Sequence, residues 1–111
     1  MDGIEQVCPR FHKAIELIGK RWTGAIIRSL LDGPRRFSEV LEAVPHLHDR
    51  LLSERLKELE VEGIVRRRVY PEVPVRIEYE LTPKGHGLER VAAEVQRWAN
   101  RWLPEPSKAP R

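Results

Sequence analysis

The sequence predicts a mainly α domain with one small antiparallel β-hairpin, an α+β chain. Three observations predict it. Phe37 to Val44 reads as a short amphipathic helix, Pro45 to His48 as a turn, and Asp49 to Glu62 as a longer amphipathic helix closed by Gly63. Ile64 to Tyr70 then alternates as a strand, Pro71-Glu72-Val73-Pro74 turns, and Val75 to Leu81 alternates back. On both sides of this block, apolar residues recur at the three- and four-residue spacing of helices. Helix, turn, helix and hairpin is the order of a winged helix-turn-helix, which sets its second helix in the DNA major groove and its hairpin beside the backbone.

Met1 to Val7 carries no periodic pattern, and residues 104–111 are Pro-rich without core residues, so both termini are expected to be flexible around one domain at 8–103. Pro9 suits a helix start, and Ala14, Ile15, Leu17 and Ile18 give a first helix ending near Gly19. Trp22, Ile26, Ile27, Leu30 and Leu31 mark a second helix. Asp32-Gly33-Pro34 stops it, because Gly enters the left-handed region and Pro cannot continue a helix. Arg35-Arg36-Phe37 adds a short extended segment. After the hairpin, Thr82 caps and Pro83 opens one final helix, expected to run to about Leu103 with Gly85 and Gly87 weakening its first turn. Leu88, Val91, Ala92, Val95, Trp98, Ala99 and Trp102 form its apolar stripe.

At 111 residues, the chain suits one domain. A single cysteine, Cys8, excludes an intrachain disulfide and favours a reducing compartment. The N-terminus lacks the apolar run of a signal peptide, and no stretch approaches the ~18 apolar residues of a membrane span, so the expectation is a cytoplasmic protein off the membrane. The net charge of +3 decides nothing, but its distribution does: 15 of the 20 basic residues are arginine, and Lys20 to Arg36 holds five basic residues against one acidic. Arginine suits bidentate contact with phosphate and guanine. A GC-rich coding bias would also raise the arginine total, so placement carries more than count.

On the helix from Asp49, Leu52, Leu56 and Leu59 share one face, while Arg50, Ser53, Glu54 and Lys57 share the opposite one. Base reading needs that arrangement, with donors and acceptors outward and nothing bulky and apolar in the way. An ordinary solvated face has the same pattern, and position between a short helix and an arginine hairpin favours the DNA reading. Arg55 lies at the edge of the leucine stripe, placed for a carboxylate, a carbonyl or a phosphate. His48 or Asp49 could cap the helix. His46 and His48 lack a third ligand, so no metal and no cofactor are expected.

In the hairpin, a register in which paired positions sum to 146 puts Val65 opposite Leu81 and Val69 opposite Ile77. Arg66 then meets Glu80, Arg68 meets Glu78, Tyr70 meets Arg76, and Arg67 faces Tyr79. Arg66 and Arg68 can serve as cross-strand ion pairs or as phosphate contacts. Arg76, with no carboxylate opposite, is expected to be the better phosphate contact. Pro71 and Pro74 stiffen the turn.

These residues together resemble the HxlR-type bacterial transcription regulators. The resemblance rests on Cys8-Pro9, on Ile18-Gly19-Lys20-Arg21-Trp22-Thr23, and on Leu31-Asp32-Gly33-Pro34-Arg35-Arg36-Phe37-Ser38-Glu39. It continues through Leu52-Ser53-Glu54-Arg55-Leu56-Lys57-Glu58-Leu59-Glu60 with Gly63, Tyr70 to Tyr79, and Leu81-Thr82-Pro83-Lys84-Gly85. It spans about residues 8 to 102. It implies a homodimer, joined through the first and last helices, that binds operator DNA as activator or repressor. The stripe Leu88, Val91, Val95, Trp98 and Trp102 would supply that seam. Where the family commonly carries Ser-Pro before the recognition helix, this chain has His48-Asp49, which bears on base preference. Some members sense oxidants or electrophiles at an N-terminal cysteine, which makes Cys8 the candidate sensor, with an inert cysteine beside the seam as the alternative.

The expected function is therefore two-fold binding to a pseudo-palindromic operator. Arg50, Ser53, Glu54 and Lys57 would read bases. Lys20, Arg21, Arg35, Arg36, Arg55 and the wing residues Arg66, Arg68 and Arg76 would hold phosphates. No Gly-rich phosphate loop, clustered metal ligands or paired nucleophile and base points to an enzyme. The alternative is a winged-helix module that binds protein or RNA. A small-molecule effector could sit in the dimer cleft, although no polar constellation specifies one.

Overall fold

The computed structural model describes residues 3–105. Its elements are α1 (Pro9–Ile18), α2 (Thr23–Leu30), α3 (Phe37–Ala43), α4 (Asp49–Val61), β1 (Val65–Tyr70), β2 (Arg76–Leu81), α5 (Pro83–His86) and α6 (Glu89–Trp102). The hairpin register is the one expected, from Val65 opposite Leu81 to Tyr70 opposite Arg76. Arg35 adds a third, one-residue rung by bonding Tyr79 in both directions, N–H to O at 2.9 and 2.7 Å.

The core is built by the middle of the chain. Ile26, Ile27 and Leu30 of α2 meet Val40 and Val44 at α3, and Leu47 plugs the turn. Leu52, Leu56 and Leu59 of α4 close one side, and Ile64, Val65 and Leu81 root the wing. The leucine stripe of α4 is thus wholly buried, which fixes its polar side outward. Gly63, at φ 75°, ends α4 with bonds from Gly63 N to Glu60 O and Ile64 N to Leu59 O, the paired bonds of a Schellman stop.

The last helix is not continuous. Thr82 caps α5 by accepting from Gly85 N at 3.1 Å, but the chain turns at Gly87 and Leu88 before α6 begins. A Cβ on the buried Gly85 would stand 2.3 Å from the Ile64 carbonyl, so the first turn is pinned to the base of the wing. Leu88 tucks against the core, and α6 begins at Glu89.

Neither α1 nor α6 buries a single residue fully. The Cα radius of gyration is 16.8 Å, against about 13 Å expected for a compact chain of this length. Residues 1–2 and 106–111, including most of the Pro-rich tail, lie outside the described residues. No helix among the described residues is long and apolar enough to cross a membrane.

Candidate nucleic-acid interface

Helix α4 starts at His48, whose extended backbone turns into the helix without a side-chain cap; the first helical bond runs from Leu52 N to His48 O at 2.9 Å. Neither His48 nor Asp49 caps the helix through its side chain. On the outward face, the Arg50 side chain is 94% exposed and lies 3.6 Å from Glu54. Ser53 is half-buried, and Lys57 is exposed. All four expected base readers therefore share the face opposite the leucines.

Several expected phosphate holders are engaged inside the protein. Arg55, only 13% exposed, donates from Nε to the Arg21 carbonyl at 3.1 Å and from Nη1 to Glu58 at 3.3 Å. Lys20 reaches the same Glu58 at 3.2 Å. This clasp ties α4 to the turn between α1 and α2, and in the free protein Arg55 meets a carbonyl and a carboxylate, two of the three partners expected for it. Arg35 donates to the Ser29 carbonyl at 2.6 Å and lies 3.8 Å from Asp32, so it anchors the third rung of the sheet. Arg21 stacks over Trp22 at 5.0 Å, and the side chain of Arg36 is exposed while its N–H is bound by Glu39 at 2.8 Å.

The wing departs most from expectation. Arg76, expected to be free, donates to Glu72 at 2.9 Å and to Glu78 at 2.7 Å, and its guanidinium lies 3.8 Å over the Tyr70 ring. No carboxylate stands directly opposite it, but Glu78 two residues along the same strand and Glu72 four residues back both reach it. Arg66 donates to Glu80 at 2.8 Å, as the register requires. Arg68 reaches diagonally to Glu80 at 3.5 Å, rather than to Glu78 opposite. Hydrogen bonding from Arg76 holds the Glu72 carboxyl below the ordinary carboxylate range, and the two carboxylates raise Arg76 in turn.

Arg67, not among the expected phosphate holders, faces Tyr79 rather than a carboxylate. It is exposed and forms no ion pair among the described residues. That mismatch in the register is the signal that singles it out.

Cys8 is exposed at the N-cap of α1. The backbone N–H groups of Phe11 and Arg10, and then the Arg10 side chain, lower its thiol pKa. No group of three or more metal-ligating side chains occurs among the described residues.

The expected seam is exposed along α6 at Val91, Val95, Trp98 and Trp102, and Leu88 is half-buried where it packs against the protein's own core. Phe11 and Ile15 of α1 are equally uncovered, as is Leu103. Periodicity alone puts Ile15 on an internal helix face; α1 instead meets the body only through its C-terminal end, where Leu17 and Ile18 pack.

A buried-leucine recognition helix behind a short helix, flanked by a basic hairpin, defines a winged helix-turn-helix DNA-binding protein. Comparison with known proteins narrows the class: residues 17–107 match the HxlR-like helix-turn-helix family. The chain belongs to that family. It is 53% identical to the HTH-type transcriptional regulator YvaP of Bacillus subtilis, covering 92% of this chain and 94% of YvaP. It is similar in structure to reduced YodB of B. subtilis, with a TM-score of 0.79, 48% identity, and coverage of 93% of this chain and all of YodB. YodB structures also exist in diamide-treated and quinone-bound forms. The oxidised redox regulator HypR matches with a TM-score of 0.81, 35% identity, and coverage of 88% of this chain and all of HypR.

Proposed function

We propose that this protein is a cytoplasmic transcriptional regulator that binds a pseudo-palindromic operator as a homodimer and performs no catalysis. The observation that carries the reading is α4. Its leucine face is fully buried, so Arg50, Ser53, Glu54 and Lys57 must project together from a rigid element. In a duplex, that face would enter the major groove, with phosphates held by Arg36, Arg21 and the wing. Dimerisation through α1 and α6 would cover Phe11, Ile15, Val91, Val95, Trp98 and Trp102, and would place two recognition helices about 34 Å apart.

Signal reception is assigned to Cys8. Its lowered pKa enriches the thiolate, the reactive form, and its exposure admits an electrophile. The diamide-treated and quinone-bound forms of YodB support this chemistry for a relative of similar fold. With one cysteine per chain, oxidation would give either a disulfide between subunits or a mixed disulfide with a small thiol.

Selection from random duplexes with purified protein, before and after oxidant treatment, tests both parts. A two-fold symmetric site with half-sites about one helical turn apart is the expected result. Oxidant should abolish or alter that binding, reductant should restore it, and Cys8→Ser should be unresponsive. No enriched duplex at low salt would overturn operator binding and favour a protein or RNA partner.

A further inference from the structure

The wing holds Arg66, Arg67, Arg68 and Arg76 against Glu72, Glu78 and Glu80, so it carries only one net positive charge. The acids are not scattered. Glu80 takes both Arg66 and Arg68, while Glu72 and Glu78 grip Arg76 from two sides. Glu78 and Glu80 are themselves mostly covered, at 20% and 13% exposure, so they sit as fixed acceptors beneath the arginines. Glutamate oxygens occupy guanidinium donors of Arg66 and Arg76 that a phosphate would use, and Arg68 stands 3.5 Å from Glu80 in a looser pair.

Building on the operator-binding reading, we propose that the wing is charge-compensated: Glu72, Glu78 and Glu80 compete with DNA phosphate for Arg76, Arg66 and Arg68, and Arg67 makes the wing's phosphate contact. The physical reason is exchange. A free cation docking on DNA displaces a condensed counterion into bulk, which is the source of salt-dependent affinity. An arginine already neutralised by a tethered carboxylate brings no net positive charge to the phosphate, so it displaces no condensed cation from the DNA. Docking must either leave the pair intact, contributing little, or break it and strand a carboxylate near the DNA backbone. Arg76 is in that condition, held by two carboxylates, while Arg66 and Arg68 share the single carboxylate of Glu80. Arg67 alone can gain a phosphate without losing a partner. The compensation would lower non-specific affinity and leave discrimination to α4, since like-charge repulsion from the glutamates acts on every sequence equally.

The test is a salt titration of binding to a duplex enriched in the selection above, using the full chain. Arg67→Gln should weaken binding and flatten the log–log salt slope by about 0.9 for each phosphate that is no longer neutralised. Glu80→Gln should do the opposite, tightening binding roughly two- to fivefold, the scale of one exposed ion pair, and steepening the slope. Glu72→Gln, at the exposed tip, should shift affinity in the same direction as Glu80→Gln and keeps the test open if the latter variant unfolds, which thermal melting reports. Unchanged or weaker binding by folded Glu72→Gln or Glu80→Gln would overturn the proposal, because the acids would then be positioning the arginines. An unchanged slope for Arg67→Gln would overturn the assignment of Arg67. Wild-type protein that binds no duplex at low salt would instead remove the operator-binding reading, and this proposal with it.

Discussion

A basic side chain near DNA has two uses, and its partners in the free protein decide between them. Arg50 projects almost fully into solvent with only a loose contact to Glu54, so its donors remain available. Arg50→Ala should relax preference at one base position by about 1–3 kcal/mol if the contact is bidentate. Titrations against duplexes altered one pair at a time would measure this, and an unaltered preference would remove Arg50 from the reading set. Arg55 is the opposite case. Its azimuth was legible in the sequence, but its partner was not, because the Arg21 carbonyl is brought beside it only when the turn before α2 packs on α4. Arg55→Ala should destabilise the fold by about 0.5–1.5 kcal/mol, the net worth of its bond to the Arg21 carbonyl, since Lys20 still pairs with Glu58, with the urea midpoint as the readout. At Cys8, the lowered pKa fixes the sign of a pH prediction: the alkylation rate of the native protein should reach half-maximum at lower pH than that of the same cysteine in denaturant. Linkage gives the same sign, since preference for the thiolate adds stability above the unfolded pKa and loses it as pH falls through the folded value. Coincident midpoints would mean that the helix start does not tune the thiol.

Among the elements, those set by local rules were the legible ones. The α4 stop at Gly63, the hairpin register and the Thr82-Pro83 start all follow from short-range chemistry, and each stands where the sequence places it. The break between α5 and α6 does not. Periodicity runs smoothly from Leu88 to Trp102, and the two glycines read only as weak helix formers. Just before the break, Gly85 closely approaches the Ile64 carbonyl, a contact between residues far apart in sequence. Gly85→Ala should therefore cost more than its improved helix propensity returns. A loss of about 1–3 kcal/mol is expected from overpacking against backbone that cannot move aside. Equal or raised thermal stability would show that the wing base yields. The wing was legible in its backbone and misleading in its charges, since cross-strand pairing identifies only directly opposite partners. Arg76 finds its carboxylates along its own strand and around the turn.

Across the whole molecule, the distribution of apolar surface argues for a second copy. A chain of this size should bury its large apolar residues in one core, yet two tryptophans on α6 and a phenylalanine on α1 stand more than half exposed. The α6 half of that surface was legible because its stripe is longer than one small domain requires. The α1 half was implied by the family resemblance and not by its own pattern, because a helix whose apolar residues could face inward looks the same in sequence as one that offers Phe11 and Ile15 to a partner. If these faces meet across a two-fold axis, folding and association are linked, since an assembly that forms only from folded chains stabilises them by mass action. The melting temperature should then rise with protein concentration. Trp98→Asp should abolish that dependence, because a carboxylate buried at the seam loses its hydration without gaining a partner. Sedimentation should show dimer for the wild type and monomer for the variant. The variant should retain its helical signal, since Trp98 contributes nothing to the internal core. Its operator affinity should collapse, because each chain would grip one half-site alone and the second binding step would no longer be intramolecular. A variant that remains dimeric, or a melting temperature independent of concentration in the wild type, would place the seam elsewhere and leave the exposed tryptophans facing a different partner.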